Sequence, residues 1–442
     1  MQESMQTQSA SPPIHSFRAS RAAFFTALAV RLVYITVSHA YRVTNIENHF
    51  RFGYEMGRIA QALATGRGYA DPFHGHTGPT AWIAPLYPLL LAGVFKVFGV
   101  YTNLSGWVIL AIDSLLNALM IPLLWEIGER CFDTRVARWS VWIWALYPAA
   151  MQYAVRWVWD TTLTTLLLQL ALVIALRAGS IGNLAGDGPT FNRWLCFGLV
   201  WGLIAVSNPA LLIYLPVCGI WILARSGRLW THQLARVLCA SLLFMAVAAP
   251  WAIRNALVFH AFVPFRSNFG AELYLGNGPG ATGLLMEYNQ PGEAPEQLQL
   301  YRQMGELAYT RWRGQQAEQI IRADLPRFTN LCVRRIYFFW FGVPNPSGKP
   351  GTDFARAINY GFTSLAGLMG LALALKRRIP AARLFAAAFL LIPALYYAVA
   401  STARFRHQLE PLITLLGVYL FQQAERRWGF SLPLLRKLWP AR

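Results

Sequence analysis

Apolar runs of about 18 or more residues recur along this chain, and no other feature limits its fold as sharply. A bilayer core offers no water, so backbone N–H and C=O groups must be satisfied within each segment, which makes each run a helix. Candidate spans are 22–40, 104–127, 137–155, 161–177, 194–207, 209–225, 235–252, 358–375, 384–400 and 408–424. The run Leu86–Phe98 is too short to cross and reads as an interfacial or re-entrant segment. Composition agrees: 13% of residues are charged, where a soluble domain carries roughly a quarter. The expected fold class is an all-α polytopic membrane bundle of about ten spans. Residues 1–20 are polar, and Ala22 to Ala40 lacks a small-residue cleavage site. That run therefore reads as a retained first span, not a cleaved signal.

A cytoplasmic N-terminal tail (1–20) and an even number of spans give one consistent topology. The basic loops 130–138, 225–236 and 376–383 then fall on the cytoplasmic side together with the tail 426–442, as the positive-inside rule requires. The chain divides into a transmembrane module (21–252), a large outer loop (253–357) and C-terminal transmembrane helices (358–425). A first outer loop, 41–103, lies within the module. Net charge is +19. In a membrane protein that charge fits arginines meeting anionic lipid head groups, and nucleic acid is not an expected partner. The five cysteines form no CxxC pair, which excludes a zinc ribbon and a disulfide framework.

Three outward-facing constellations can carry chemistry. In the 41–88 loop, Asn48 to Thr65 reads as an amphipathic helix ending at Gly66, with Phe52, Met56, Ile59 and Leu63 on its apolar stripe. Glu55 and Arg58 lie beside that stripe, and Glu47 and Asp71 are the other acids of the loop. One carboxylate here suits a general base; the plain alternative is an interfacial helix with solvated charges. The second is RWVWDTT (156–162), where Asp160 either caps a span or faces the same cavity. The third is a set of arginines at span ends: Arg254, Arg404 and Arg406. Guanidinium forks match phosphate oxygens, although lipid head groups would suit them as well. His74 and His76 make a weak metal pair, and no metal site or cofactor is expected. The sequence has no Walker A, HExxH or GxSxG motif and no GxGxxG following a strand; GNGPGATG (276–283) reads as a turn-rich break.

The order of segments resembles a family. The stretches IAQALATGRGYADPF, TAWIAPLYPLLLAGVFKVFGVYTN, LLNALMIPLLWEIGERCFDTRVA, WALYPAAMQYAVRWVWDTTLTTLLL, PWAIRNALVFHAFVPFRSNFGAELYLGN and RFRHQLEPLITLL each look like segments at the same relative place in one superfamily. It is the GT-C-fold glycosyltransferases that use polyprenyl-phosphate sugars, of the protein O-mannosyltransferase and aminoarabinose-transferase type (family thirty-nine). The resemblance covers about residues 20–425.

It implies a catalytic carboxylate near the start of the first-loop helix. Registering on Gly66 puts the usual Asp near Phe52, so Glu55, one turn on, is favoured over Glu47 upstream. Asp160 matches an acidic position at the start of the fourth span. The family's Lys before the Pro-rich segment is replaced by Ala84, which shifts donor-phosphate contact to Arg404, Arg406 and Arg254, with Arg58. His49, Tyr54, Trp82, Tyr87 and Trp157 complete the expected substrate cavity. The implied activity moves a sugar from a polyprenyl-phosphate donor to a lipid, polysaccharide or protein, with inversion, at the outer face of a bacterial cytoplasmic membrane. The alternatives are a transporter or flippase of lipid-linked sugars and an oligosaccharide polymerase or ligase. A transporter would usually show ionisable groups inside spans, of which Asp113 is the most conspicuous.

Overall fold

The computed structural model describes residues 14–42, 52–182, 184–226, 233–284, 289–342 and 350–428. Among these residues the fold is all-α apart from one isolated bridge, Ala70 to Pro79. The chain is a multi-pass integral membrane protein. Five helices are long and apolar enough to cross a bilayer: α1 (Ile14–Val37, apolar from Ala19), α4 (Asn103–Cys131), α7 (Thr161–Ala178), α10 (Leu234–Phe259) and α15 (Pro350–Lys376, apolar from Gly351). Between them run α2 (Glu55–Ala64), α3 (Leu86–Phe98), α5 (Thr134–Leu146), α6 (Pro148–Val155), α8 (Phe191–Ala205) and α9 (Leu215–Arg225). After α10 come α11 (Phe269–Asn277), α12 (Pro295–Met304), α13 (Glu306–Ala323) and α14 (Leu325–Phe341). The chain closes with α16 (Ala382–Leu391), α17 (Ala394–Ala398), α18 (Ala403–Arg406) and α19 (Glu410–Trp428).

Every expected span coincides with helix, but several are shorter or broken, so the ten-span expectation holds only in part. Proline explains the breaks. The 137–155 run divides into α5 and α6 at Pro148, which has no N–H for the carbonyl of Trp144 four residues earlier. The fully buried Arg31 of α1 repairs this. Its Nη2 donates to Trp144 O at 3.1 Å and its Nη1 to Ala145 O at 2.9 Å. A charge in the bundle interior thus does backbone work. The run from Pro209 to Arg225 begins as a 3-10 turn before α9, and the last apolar pair divides into α16 and α17 around Pro393.

Helices approach closely where side chains are small. A Cβ on Gly198 of α8 would strike the Ala240 carbonyl of α10, and one on Gly370 of α15 would strike the Leu416 carbonyl of α19. The described residues between α10 and α15 are largely helical too. Gly270 of α11 and Gly314 of α13 touch backbone to backbone, since a Cβ on Gly270 would lie 3.0 Å from Gly314 Cα. This crossing fixes α11 against α13 and so fixes the direction of Glu272.

Candidate active site

The start of α2 is set by two left-handed residues, Gly53 (φ 77°) and Tyr54 (φ 50°). Glycine is required at 53: a Cβ there would strike the carbonyl of Val158. That contact lays the first turn of α2 against the α6–α7 connection, two residues before Asp160. The far end of α2 closes with a Schellman turn, Arg67 N–H to Ala62 O and Gly66 N–H to Leu63 O, as the glycine in the sequence indicates. The helix is shorter than expected, beginning at Glu55, because Gly53 and Tyr54 leave helical backbone.

Glu55 is 5% exposed. Its Oε1 accepts one hydrogen bond, from Gln290 Nε2 at 2.8 Å. Burial pushes its carboxyl up to about 7, helped by the charge of Glu272 and opposed by Arg404 and Arg266. Asp160 stands at the N-cap of α7, yet its side chain makes no capping bond. The helix is begun by its carbonyl alone, which accepts from Thr164 N–H at 2.8 Å. The carboxylate is half-buried and lies in the field of the same two arginines, with burial raising its pKa. Glu272 of α11 takes Asn268 Nδ2 at 3.0 Å. It too is raised by burial and held down by Arg266 and Arg404.

Three carboxylates from three parts of the chain therefore share two arginines. Among the described residues, each arginine has an orienting contact that leaves most of its fork unspent. Arg266 Nε donates to Trp82 O at 3.0 Å. Arg404 lies over the Trp159 ring, 4.0 Å from its centroid, and over Phe405 at 5.0 Å. Phe405 in turn stacks on Tyr396 at 4.1 Å. Both arginines are half-buried. Arg335 of α14 ties the two sides together. It donates to Gly276 O and Asn277 Oδ1 at the end of α11, and to Tyr397 O and Ala398 O just before Arg404's segment.

The structure thus brings together Glu55, Asp160 and Arg404 from the sequence expectations. It adds Arg266 and Glu272, which the sequence reading missed. Other expected members are placed elsewhere. Arg406 is fully buried. Its guanidinium pairs with Glu410 at 3.1 Å and donates to Thr363 Oγ1 and to the carbonyls of Trp340 and Tyr360. It is an internal clamp on α14, α15 and α19, with nothing left for a donor phosphate. Arg254 donates to Thr80 O and Tyr69 O at 2.7 Å each and packs on Trp251 and Tyr69, so it fastens the first loop to α10. Arg58, one turn after Glu55, points to His74, 2.9 Å away. Trp82 is sealed in an aromatic box with Phe73 and Tyr301, and reaches the cluster only through its carbonyl. The buried Tyr87 hydroxyl donates to Asp113 at 2.7 Å instead of lining a cavity. Trp157 is half-buried beside Asp160's loop, and Tyr54 neighbours Glu293. Glu47 and His49 lie outside the described residues. Among the described residues, no three His, Cys, Asp or Glu side chains converge as metal ligands.

Residues 82–253 match the family model described as dolichyl-phosphate-mannose-protein mannosyltransferase. No curated protein sequence matches the chain. Among solved structures, the apo oligosaccharyltransferase of Archaeoglobus fulgidus is similar at a TM-score of 0.51 and 14% identity, over 97% of this chain and 52% of that one. The same archaeal enzyme, AglB, with an inhibitory peptide and a dolichol-phosphate gives 0.48 and 13%, over 97% and 52%. ArnT of Cupriavidus metallidurans bound to undecaprenyl phosphate gives 0.36 and 13%, over 90% and 77%. The chain spans about half the length of the archaeal relatives it matches.

Proposed function

From the match of residues 82–253 to the dolichyl-phosphate-mannose-protein mannosyltransferase family model, within a GT-C fold, we propose that this chain is a membrane glycosyltransferase using a polyprenyl-phosphate sugar. That match is the observation that carries this reading, and the field of Arg266 and Arg404 on the buried carboxyls of Glu55, Asp160 and Glu272 supports it. A lipid-anchored donor needs an enzyme embedded in the bilayer. Its leaving group is a phosphate, which needs fixed positive charge and not a proton. Arg404 and Arg266 supply two forks half withdrawn from water, where charge acts more strongly.

In this mechanism Glu55 takes the proton from the acceptor hydroxyl or amine. The acceptor atom bonds to the anomeric carbon as the bond from that carbon to the phosphate oxygen breaks. The polyprenyl phosphate leaves with the electron pair, and the arginines hold its charge. Attack opposite the leaving group inverts the anomeric centre. Asp160 and Glu272 orient the sugar and the arginines. The acceptor is a lipid, polysaccharide or protein, and the active site faces the outer leaflet of a bacterial cytoplasmic membrane, with both termini cytoplasmic.

The test is transfer of sugar by the purified protein from a labelled polyprenyl-phosphate donor. Labelled product that depends on Glu55 is the expected result. Near-normal turnover by Glu55→Gln would remove Glu55 as the base. Movement of intact donor across a vesicle bilayer without cleavage would replace the enzyme reading with a flippase.

A further inference from the structure

A second charged pocket lies further along α2 and the turn that ends it, open to solvent and lined by Arg58, Gln61, Arg67, Asp71, Phe73, Gly75 and His76. Two arginines line it: Arg58 from the middle of α2, and Arg67 from the Schellman turn that ends it. Arg302 of α12 stands at the edge, beside the lining residue Gly75 (φ 73°), and donates to His74 O at 2.5 Å. A Cβ at 75 would meet that guanidinium, so the bare backbone there is what admits it.

One carboxylate faces these groups directly, and it is largely committed. Asp71 Oδ1 accepts from the N–H groups of Thr77 at 2.9 Å and Gly78 at 3.1 Å, while Oδ2 pairs with Arg67 at 3.1 Å. Among the described residues neither Arg58 nor Arg302 forms an ion pair. Glu55 and Glu293 act on Arg58 only through space, and burial depresses its guanidinium. A cation partly withdrawn from water without a bonded counter-ion gains most from a bound anion. Two guanidinium forks in the lining, with a third at the edge, suit a tetrahedral group with several oxygens better than a planar carboxylate.

We propose that this pocket binds a phosphate monoester group, separate from the one held by Arg266 and Arg404. Gln61 stands six residues after Glu55, about 9 Å along the helix axis, so a ligand seated here extends along the same helix that carries the proposed base. The phosphate belongs either to a soluble acceptor or to a lipid headgroup.

The experiment titrates inorganic phosphate into the purified full chain in detergent, followed by calorimetry. The variants are Arg67→Gln, Arg302→Gln and their combination. Each single change is expected to weaken phosphate at least tenfold and the pair to abolish binding, with polyprenyl-phosphate binding unchanged. Arg302 is exposed on α12, so its variant keeps the fold, and an unchanged melting midpoint checks this. Absence of phosphate binding in the parent protein overturns the site, as does equal binding by the variants. Parallel loss of polyprenyl-phosphate binding overturns its separateness. In nanodiscs, competition by phosphatidic acid but not phosphatidylcholine assigns the group to a lipid headgroup. Undiminished phosphate binding in both assigns it to a soluble acceptor.

Discussion

Glu55 and Glu306 are each 5% exposed, both sit in the connections outside the long helices, and burial raises both carboxyls. Their surroundings differ in one respect. Glu306 accepts four hydrogen bonds: Thr80 Oγ1 and Tyr301 Oη on one oxygen, Ala81 N and Ser267 Oγ on the other. These bonds knot the first loop to α13 and to the segment before α11. Glu55 accepts one side-chain bond and otherwise faces charges it does not touch. Equal burial thus hides different bonding, and on the proposed function different uses. A saturated carboxylate is structural, and one left with free lone pairs beside arginines is available for chemistry.

The largest expected effect separates the two. Glu55→Gln should lower transfer by about a thousandfold, within the range for removing a general base, and leave the melting midpoint in place. Glu306→Gln should do the reverse. An amide cannot accept from four donors, so at least one buried donor is stranded, at a cost of about 2–3 kcal/mol. Activity should then track the folded fraction. Thermal melts run beside transfer assays on both variants check this, and an exchange of the two phenotypes would break the comparison.

The same contrast recurs two residues apart, at Arg404 and Arg406. Removing Arg406 strands Glu410 without its cation, which costs roughly 3–5 kcal/mol for a buried pair. Arg404→Gln should instead weaken donor binding by about tenfold to a hundredfold with little change in stability. Binding of polyprenyl phosphate to both variants, alongside their melts, decides between these assignments. Unchanged donor affinity in Arg404→Gln removes Arg404 from the phosphate site.

How far each member could be read from sequence follows from where its constraints come from. Span positions were legible because they rest on long apolar runs, and the end of α2 was legible because Gly66 marks a Schellman turn. Glu55 stood out because it lies one turn from the position the family resemblance indicates; what the structure adds is its burial and the field around it. Arg404 and Arg406 looked identical in STARFRHQLEP, since burial of one and not the other depends on α14 and α15, far away in the chain. Arg266 and Glu272 sit in RSNFGAEL and carry no local mark. Their meaning comes from the glycine crossing of α11 on α13 and from Arg335, both long-range contacts. Trp82 read as a member of the substrate cavity because the box that buries it is completed by Tyr301, more than two hundred residues on.

A smaller effect tests the shared field. Glu55 must be ionised to act, and its carboxyl is pushed up to about 7. Transfer should therefore rise with pH through that value and fall about tenfold per unit below it. Glu272 contributes to the rise, so Glu272→Gln should move the acid limb to lower pH. A pH–rate profile that stays in place would remove Glu272 from the cluster.

The smallest expected effect concerns Gln290, the one side chain bonded to the carboxylate of Glu55 among the described residues. Its N–H favours the ionised form, so Gln290→Leu should raise the carboxyl's pKa and move the acid limb to higher pH. At pH 7 the rate should fall about twofold to fivefold, the worth of a single hydrogen bond. At high pH, where Glu55 is ionised regardless, the rate should return to that of the parent. A lid or packing role for the 289–294 segment predicts something different: a lower plateau at every pH with the limb unmoved. The pH dependence of the loss, more than its size, therefore tells whether Gln290 tunes the base or merely covers it.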